Sequence, residues 1–336
     1  MVCLKDEHLV IPTLSDPMSI GAATLRNRVV LAPMSGVTDL PFRDLAWRFG
    51  AGLVVTEMVA SRELALNARE SWARIRNCGI RPHMVQLAGR ESHWMAEAAR
   101  IAEGEGADIV DINMGCPAKK VIGGYSGSAL MRDPDHALSL IEATVKAVKV
   151  PVSVKMRLGW DRDSINAPEI AARAQAAGVA MVTVHGRTRM QFYEGRADWR
   201  AILAVREAIS IPLVANGDVD TPEDAREILR LSGADAVMVG RGAQGRPWHP
   251  AFLAGACAHP GRAAIAAVAV EHYRMMLDFY GVEAGLRHAR KHLGWYLERF
   301  APGADKAAIM IARDSAFVAE RLAAALSGGT TLGEAA

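Results

Sequence analysis

Eight short apolar, β-branched runs recur between Val29 and Gly240, most of them followed by a stretch of helical periodicity. They are Val29–Pro33, Leu53–Thr56, His83–Leu87, Ile109–Ile112, Val152–Lys155, Met181–His185, Leu213–Asn216 and Ala236–Gly240. Near-continuous apolar runs, as opposed to alternating ones, fit parallel strands buried on both faces. The helices between them can be read from their ends. Ser92–Gly104 is Ala-rich and opens on a capping Ser, and 135–148 opens on Asp135 and carries Leu138, Ile141 and Val145 on one side. The segment 167–177 stops at Gly178, and 221–231 opens on Thr221 with Pro222 at the first helical position. Eight β/α units in roughly 230 residues is the count of a TIM barrel. A doubly wound open sheet is the competing arrangement, but no Gly-x-Gly-x-x-Gly follows the first strand.

After Trp248-His-Pro250 the strand signals stop, and helical segments are predicted near 262–280, 284–300 and 306–326. The expected organisation is an α/β TIM barrel over 17–252, a small all-α domain over 260–326 and a flexible tail over 327–336. A chain of 336 residues can hold one large domain and one small one. A composition of 51% hydrophobic and 23% charged residues is that of a soluble globular protein. The net charge of +2 does not by itself argue for nucleic acid, so any basic surface must be local. Cys3, Cys78, Cys116 and Cys257 are scattered, with no C-x-x-C pair and no disulfide framework, which fits a reducing cytoplasm. The N-terminus lacks a signal-peptide pattern, and the small-apolar run 263–270 is too short to span a bilayer. A monomer without an obligate protein partner or membrane is expected.

Polar and glycine residues gather where the strands stop. The first run ends in Pro33-Met34-Ser35-Gly36, with Thr38 and Asp39 beyond, and the second in Thr56-Glu57. Gln86, Asn113 with Cys116, and Lys155 with Arg157 follow on the next three. The last three end in His185-Gly-Arg187, Asn216-Gly217-Asp218 and Gly240-Arg241-Gly242. A barrel brings its strand ends to one mouth, so these side chains would converge there. Small-residue turns with an Arg after the last two strands suit a phosphate: backbone N–H groups can approach it, and Arg offers a fork of donors. A flat phosphorylated heterocycle would fit, with Lys155 beside a ring nitrogen that becomes anionic on reduction. Cys116 alone could equally be a packed structural thiol, and His185 alone a satisfied core imidazole.

The motifs Ala32-Pro-Met-Ser-Gly-Val-Thr-Asp39, Asp111-Ile-Asn-Met-Gly-Cys-Pro117, Val154-Lys-Met-Arg157, Val184-His-Gly-Arg-Thr188, Asn216-Gly-Asp218 and Gly240-Arg-Gly242 together resemble the flavin-dependent tRNA-dihydrouridine synthases, most of all their bacterial B-type branch. The resemblance covers nearly the whole barrel and reaches His288-Ala-Arg-Lys-His292. Ser35 departs from the Ala common there, at similar size. The resemblance implies noncovalent FMN in the mouth, NADPH as reductant, and reduction of the uracil C5–C6 bond of a uridine in the tRNA D-loop. Carried over by motif, FMN would be touched by Pro33, Met34, Ser35, Gln86, Lys155, His185, Asn216, Gly217, Asp218, Gly240 and Arg241. Cys116 would be the catalytic acid, and Asn113, Arg157 and Arg187 would help hold the uracil.

Such a reduction needs a hydride at C6 and a proton at C5. A thiol of ordinary pKa, about 8.5, is mostly protonated at neutral pH and can supply the proton. Lys155 and Arg157 would pull its pKa down and burial would push it up. The uridine must leave its stack, which favours extra binding surface on the tRNA body. The helix near 284–300 offers Arg287, Arg290 and Lys291 on one face, opposite Leu286, Ala289, Leu293, Leu297 and Phe300. His288 and His292 have metal-ligand spacing, but no further ligand accompanies them, so no metal is expected. Lys119 and Lys120 could meet the RNA backbone or be solvated, and Tyr125 and Trp160 could stack on bases or pack at the rim. The competing functions are an FMN barrel acting on a free pyrimidine, as a dihydroorotate dehydrogenase does, and a non-catalytic RNA-binding regulator. A metal-dependent hydrolase is disfavoured by the lack of a His/Asp cluster at the strand ends.

Overall fold

The computed structural model describes residues 12–123 and 125–328, and gives no side-chain account of Lys120 or Ile122. Cys3, the expected leader-free N-terminus, Gly124, the Lys120 side chain and most of the expected tail thus lie outside what is described.

The strands are β1 (Met18–Ile20), β2 (Ala23–Leu25), β3 (Val29–Leu31), β4 (Leu53–Val54), β5 (Val59–Ala60), β6 (Met84–Ala88), β7 (Ile109–Met114), β8 (Val152–Arg157), β9 (Met181–His185), β10 (Leu213–Asn216) and β11 (Ala236–Val239). All but β1 and β2 form one parallel sheet, ordered β4-β3-β11-β10-β9-β8-β7-β6-β5. The sheet closes on itself. Val55, just past β4, bridges in parallel to Met84, and Thr56 N donates to Met84 O at 3.1 Å. β4 and β5 are therefore two pieces of one strand, and the eight strands make a TIM barrel.

β1 and β2 form an antiparallel hairpin that the period of the sequence does not announce. Its Met18, Ile20 and Leu25 pack on Met84, Ile109, Met181, Val214 and Ala236, which lie at the starts of their strands. The hairpin thus plugs the amino-terminal end with apolar surface, at about 1.5–3 kcal/mol per large side chain buried. Only the carboxyl end is left for chemistry.

Beyond the barrel lie helices Arg262–Tyr280, Val282–Phe300, Lys306–Ile311 and Ser315–Ser327. Their core is built on Trp248, Tyr273, Leu293, Tyr296, Leu297 and Leu322. The continuous helix expected over 306–326 is broken, because Asp314 accepts from the N–H groups of Ala316 and Phe317 and starts a new helix. Two other starts differ from expectation. Asp133, not Asp135, caps the helix Pro134–Ala147 by accepting from His136 N, which leaves Pro134 at the first turn. Ser92 lies inside its helix and caps nothing. Thr221 does cap Pro222–Ser232, in a reciprocal box with Asp224.

This helical region sits against the loops after β3 and β11. Tyr280 Oη donates to Asp39 Oδ2 at 3.0 Å, Arg48 pairs with Glu271 at 2.8 Å, and Arg299 Nε donates to Gln244 O at 2.9 Å. Phe42 packs edge-on against His272 at 5.5 Å.

Candidate active site

β7 delivers three consecutive kinds of group. Asp111 is buried within the barrel wall, Asn113 sits two residues on with its side chain on the same side, and the strand ends at Met114 so that Cys116 turns into the mouth, partly exposed. Asn113 Oδ1 accepts from the backbone N–H of Cys116 at 3.0 Å and of Gly115 at 3.3 Å, which shapes the turn that carries the thiol. The segment beyond is partly helical: Lys119–Ile122 is a short helix and Gly127–Arg132 a 3-10 turn. Ser128 anchors it by donating twice to Cys116 O, from N at 3.1 Å and from Oγ at 2.9 Å.

β8 runs beside it, with Asn113 opposite Lys155. Among the described residues Lys155 Nζ makes no hydrogen bond. Burial and then the nearby Arg157 pull its pKa down to about 8, against the pull of Asp111 and Cys116. The ammonium form still dominates at neutral pH, as a partly buried cation without a protein partner. Arg157 is fully buried. Its Nε donates to Gly115 O, and its Nη1 to Thr188 O and Phe192 O, each at 2.8 Å. It therefore ties the thiol's loop to the loop after β9. Burial lowers its pKa to about 10, so it stays charged.

His185 ends β9, paired with Arg157 on one side and Asn216 on the other. Burial first, then Lys155, Arg157, Arg187 and Arg241, hold its pKa well below the usual imidazole value, so the ring is neutral. Arg187 Nη1 lies 3.3 Å from His185 Nε2 and is only a donor, so Nε2 accepts and Nδ1 carries the hydrogen.

Arg187 differs from expectation. Its Nε donates to Glu194 O, Nη1 to Asp218 Oδ1 and His185, and Nη2 to Asp218 Oδ2 and Gly195 O. All five N–H groups are used and the side chain is fully buried, so none is left for a uracil. Asp218 is likewise engaged. It also accepts from Ala197 N at 2.8 Å and from Arg241 Nη2 at 3.0 Å. Burial opposes its ionisation, but the Arg187 bond, the Ala197 N–H and the two arginines hold its carboxyl below the usual range. Asp218 thus aims the half-exposed Arg241 instead of meeting a phosphate itself. Asn216 Nδ2 donates to Met238 O at 2.8 Å. At Gly217, with φ +128°, a Cβ would lie 2.6 Å from Ala197 Cβ and 3.0 Å from His185 Cδ2, so the turn beside His185 admits only glycine. Gly240 is looser, its nearest neighbour being Met34 Sδ at 3.6 Å. The turn after β3 leaves Ser35 exposed and Pro33 and Met34 partly buried, with Met34 N donating to Thr38 Oγ1.

Arg287 and Arg290 are exposed on the helix Val282–Phe300, whereas Lys291 is partly buried: its Nζ would lie 2.8 Å from a Cβ on Gly36. The basic face read from the sequence is therefore split, with Lys291 turned to the barrel. His292 is buried and His288 stacks on Tyr280 at 4.4 Å. Among the described residues no group of three or more His, Cys, Asp or Glu could hold a metal ion. Tyr125 is exposed, and Trp160 lies between Arg132 and Arg189.

Two contributors were not singled out from the sequence. Tyr193, half exposed, stands 5.6 Å from Arg157 Cζ and 5.0 Å from Arg241 Cζ. Asp111 was quoted only as part of a motif. A charged residue in the middle of an otherwise apolar buried strand was the available signal.

The fold defines the class, a TIM barrel open at the carboxyl ends of its strands. The dihydrouridine synthase family model matches residues 30–321. A "Probable tRNA-dihydrouridine synthase" of Rhizobium leguminosarum bv. phaseoli is 73% identical over 93% of this chain and 99% of its own. A "tRNA-dihydrouridine synthase B" of Xanthomonas campestris pv. campestris is 46% identical over 87% of this chain and 90% of its own. Among solved structures, a morphinone reductase mutant in complex with tetrahydroNAD superposes with a TM-score of 0.54 at 17% identity, over 76% of this chain and 94% of that one. The chain belongs to the dihydrouridine synthase family.

Proposed function

We propose that the protein reduces uridine to dihydrouridine in the D-loop of tRNA, with bound FMN as cofactor, NADPH as reductant and Cys116 as the proton donor. What supports the reading most is a partly exposed thiol just past β7 near Lys155 of β8, whose Nζ has no hydrogen bond among the described residues. A partly buried cation with no protein acceptor favours an anionic or electron-rich group beside it. The residues fit a flavin. Lys155 can meet a ring edge that gains negative charge, the Nδ1–H of His185 is a neutral donor, and Arg241, held out by Asp218, can bind a phosphate. Pro33, Met34, Ser35, Gln86, Asn216, Gly217 and Gly240 complete the wall.

The cofactor, when bound, supplies hydride to C6 of the uracil. The chain supplies the rest. Cys116 hands a proton to C5, and Asn113 and Arg157 fix the loop that presents it. Arg157 stays charged within reach of an everted base, and Tyr193 adds an aromatic face beside it. We assign the helical region 260–326 to the tRNA body, with Arg287 and Arg290 as its phosphate contacts, and the barrel 17–252 to the chemistry.

Incubation with NADPH and unmodified tRNA, followed by mapping of dihydrouridine, should show modification confined to the D-loop. Cys116→Ala should slow single-turnover reduction roughly 10²–10⁴-fold, the worth of a positioned acid. Near-normal turnover in that variant would remove the thiol from the chemistry.

A further inference from the structure

A chain of buried hydrogen bonds runs from the barrel wall to the thiol's turn. Ser153 Oγ donates to Asp111 Oδ1 at 2.6 Å, and Gln86 Nε2 donates to Asp111 Oδ2 at 2.7 Å. Asn113 Nδ2 donates to Gln86 Oε1 at 2.8 Å, and Asn113 Oδ1 accepts from Gly115 N and Cys116 N. Its polarity is fixed from both ends. A carboxylate can only accept, so Gln86 must present its NH₂ to Asp111, which leaves its oxygen for Asn113. A backbone N–H can only donate, so Asn113 must present its oxygen to the turn, which leaves its NH₂ for Gln86. The two requirements meet without conflict at Gln86. Asp111, Gln86 and Ser153 are at most 1% exposed, so no water competes for these bonds.

We propose that Asp111 is a positioning residue. It acts through the Gln86 and Asn113 amides to hold the Cys116 turn, and with it the thiol, in the working orientation. The proposal deepens the reading of Cys116 as proton donor and rests on it. It also reassigns part of Gln86: its oxygen and one N–H are used inside the protein, so a single N–H remains for a bound ring. Asp111 itself touches neither thiol nor mouth.

The test compares two substitutions of similar shape. Asp111→Asn keeps a carbonyl acceptor for Gln86, while Asp111→Leu offers none and frees the Gln86 amide to turn over. The first readout is the rate of Cys116 alkylation by iodoacetamide, resolved by peptide mass spectrometry against the exposed Cys78 in the same molecule. Asp111→Leu should raise the Cys116-to-Cys78 ratio at least 3-fold, and Asp111→Asn should hold it within 2-fold of the parent. Gln86→Met cuts the chain one link further on and should match Asp111→Leu, which covers the case in which the Leu variant does not fold. The second readout is single-turnover reduction of tRNA, which should fall at least 10-fold in the Leu or Met variant and recover in Asp111→Asn. A parent-like alkylation ratio in folded Gln86→Met would overturn the positioning role. So would equal behaviour of Asp111→Asn and Asp111→Leu. Full activity of Cys116→Ala with the alkylation pattern as expected would instead sink the acid assignment and leave the hydrogen-bond chain standing.

Discussion

Arg187 shows how one residue can organise a mouth without reaching into it. It closes the loop after β9 through Glu194 O and Gly195 O, grips Asp218 with two parallel bonds, and sets the tautomer of His185. No lysine could do this, since an ammonium has three donors and no planar fork. Removing it strands two carbonyls and a carboxylate left with Arg241 and one backbone N–H. Arg187→Met is therefore expected to lower stability by about 3 kcal/mol, the lower end for a broken buried pair because Asp218 is partly solvated. Urea denaturation checks this, and a loss below about 1 kcal/mol would show that water replaces those bonds. The sequence made Arg187 visible as a strand-end charge but not as a saturated one. Whether an arginine faces a ligand or its own loop depends on partners that fold next to it, and periodicity does not encode partners. The same holds for Gln86 and Asn113, whose side chains bond to each other, to Asp111 and to the turn of Cys116. The positions of Cys116, Lys155 and His185 near the strand ends were legible because the ends of barrel strands gather at one mouth.

At the scale of elements, all eight barrel strands were readable, since a strand buried on both faces leaves a run of apolar residues. The plugging hairpin was not: three-residue strands are shorter than any period can register. Helix starts drifted by a residue or two wherever several Ser or Asp residues could cap, as at Asp133 against Asp135. The basic helix Val282–Phe300 was legible as an element, but its face divides in three dimensions. Arg287 and Arg290 stay in solvent, with Arg287 held only loosely by Glu283 at 3.8 Å, while Lys291 reaches the Gly36 turn. Charges in solvent are the ones that release counterions from RNA. Replacing Arg287 and Arg290 together by Gln should reduce the slope of log affinity against log salt by about 1.5, at 0.7–0.9 per phosphate contact. Filter-binding titrations of tRNA at several salt concentrations would measure it. An unchanged slope would place the RNA surface on another element.

Over the whole molecule, buried histidines sit at several joints of the fold, so acid loads more than one of them. His83 Nε2 donates to Ile75 O just before β6, His185 is at the mouth, and His249 lies in the helix after β11. His272 and His292 fill the seam between barrel and helical region, 4.7 Å apart. Burial is the first cause in each case. It lowers His83 to about 4, His249 and His272 to about 3, and His185 and His292 well below the usual value. An unfolded imidazole takes its proton near pH 6.5 while these do not, so below that pH the unfolded chain binds more protons and stability falls. Asp39 and Asp111 work the other way. Burial raises both to about 6, so between pH 6 and about 3.9 the folded chain holds protons that the unfolded one has released. These five imidazoles, with the exposed His288 lowered in the same direction, stand against two carboxyls and stay ahead, and only imidazoles act between pH 6.5 and 6. Lowering the pH from 7 to 5.5 should therefore cost on the order of 3 kcal/mol, read as a lower urea midpoint. The seam should fail first, because there two imidazoles face each other and protonating one places a cation against its neighbour. In a variant that keeps only Trp295 of the seven tryptophans, the fluorescence of that residue, which packs on His292 at 5.2 Å, should then change at a lower urea concentration than the far-ultraviolet dichroism at pH 5.5 and together with it at pH 7. Coincident transitions at both pH values would mean that barrel and helical region give way as one body.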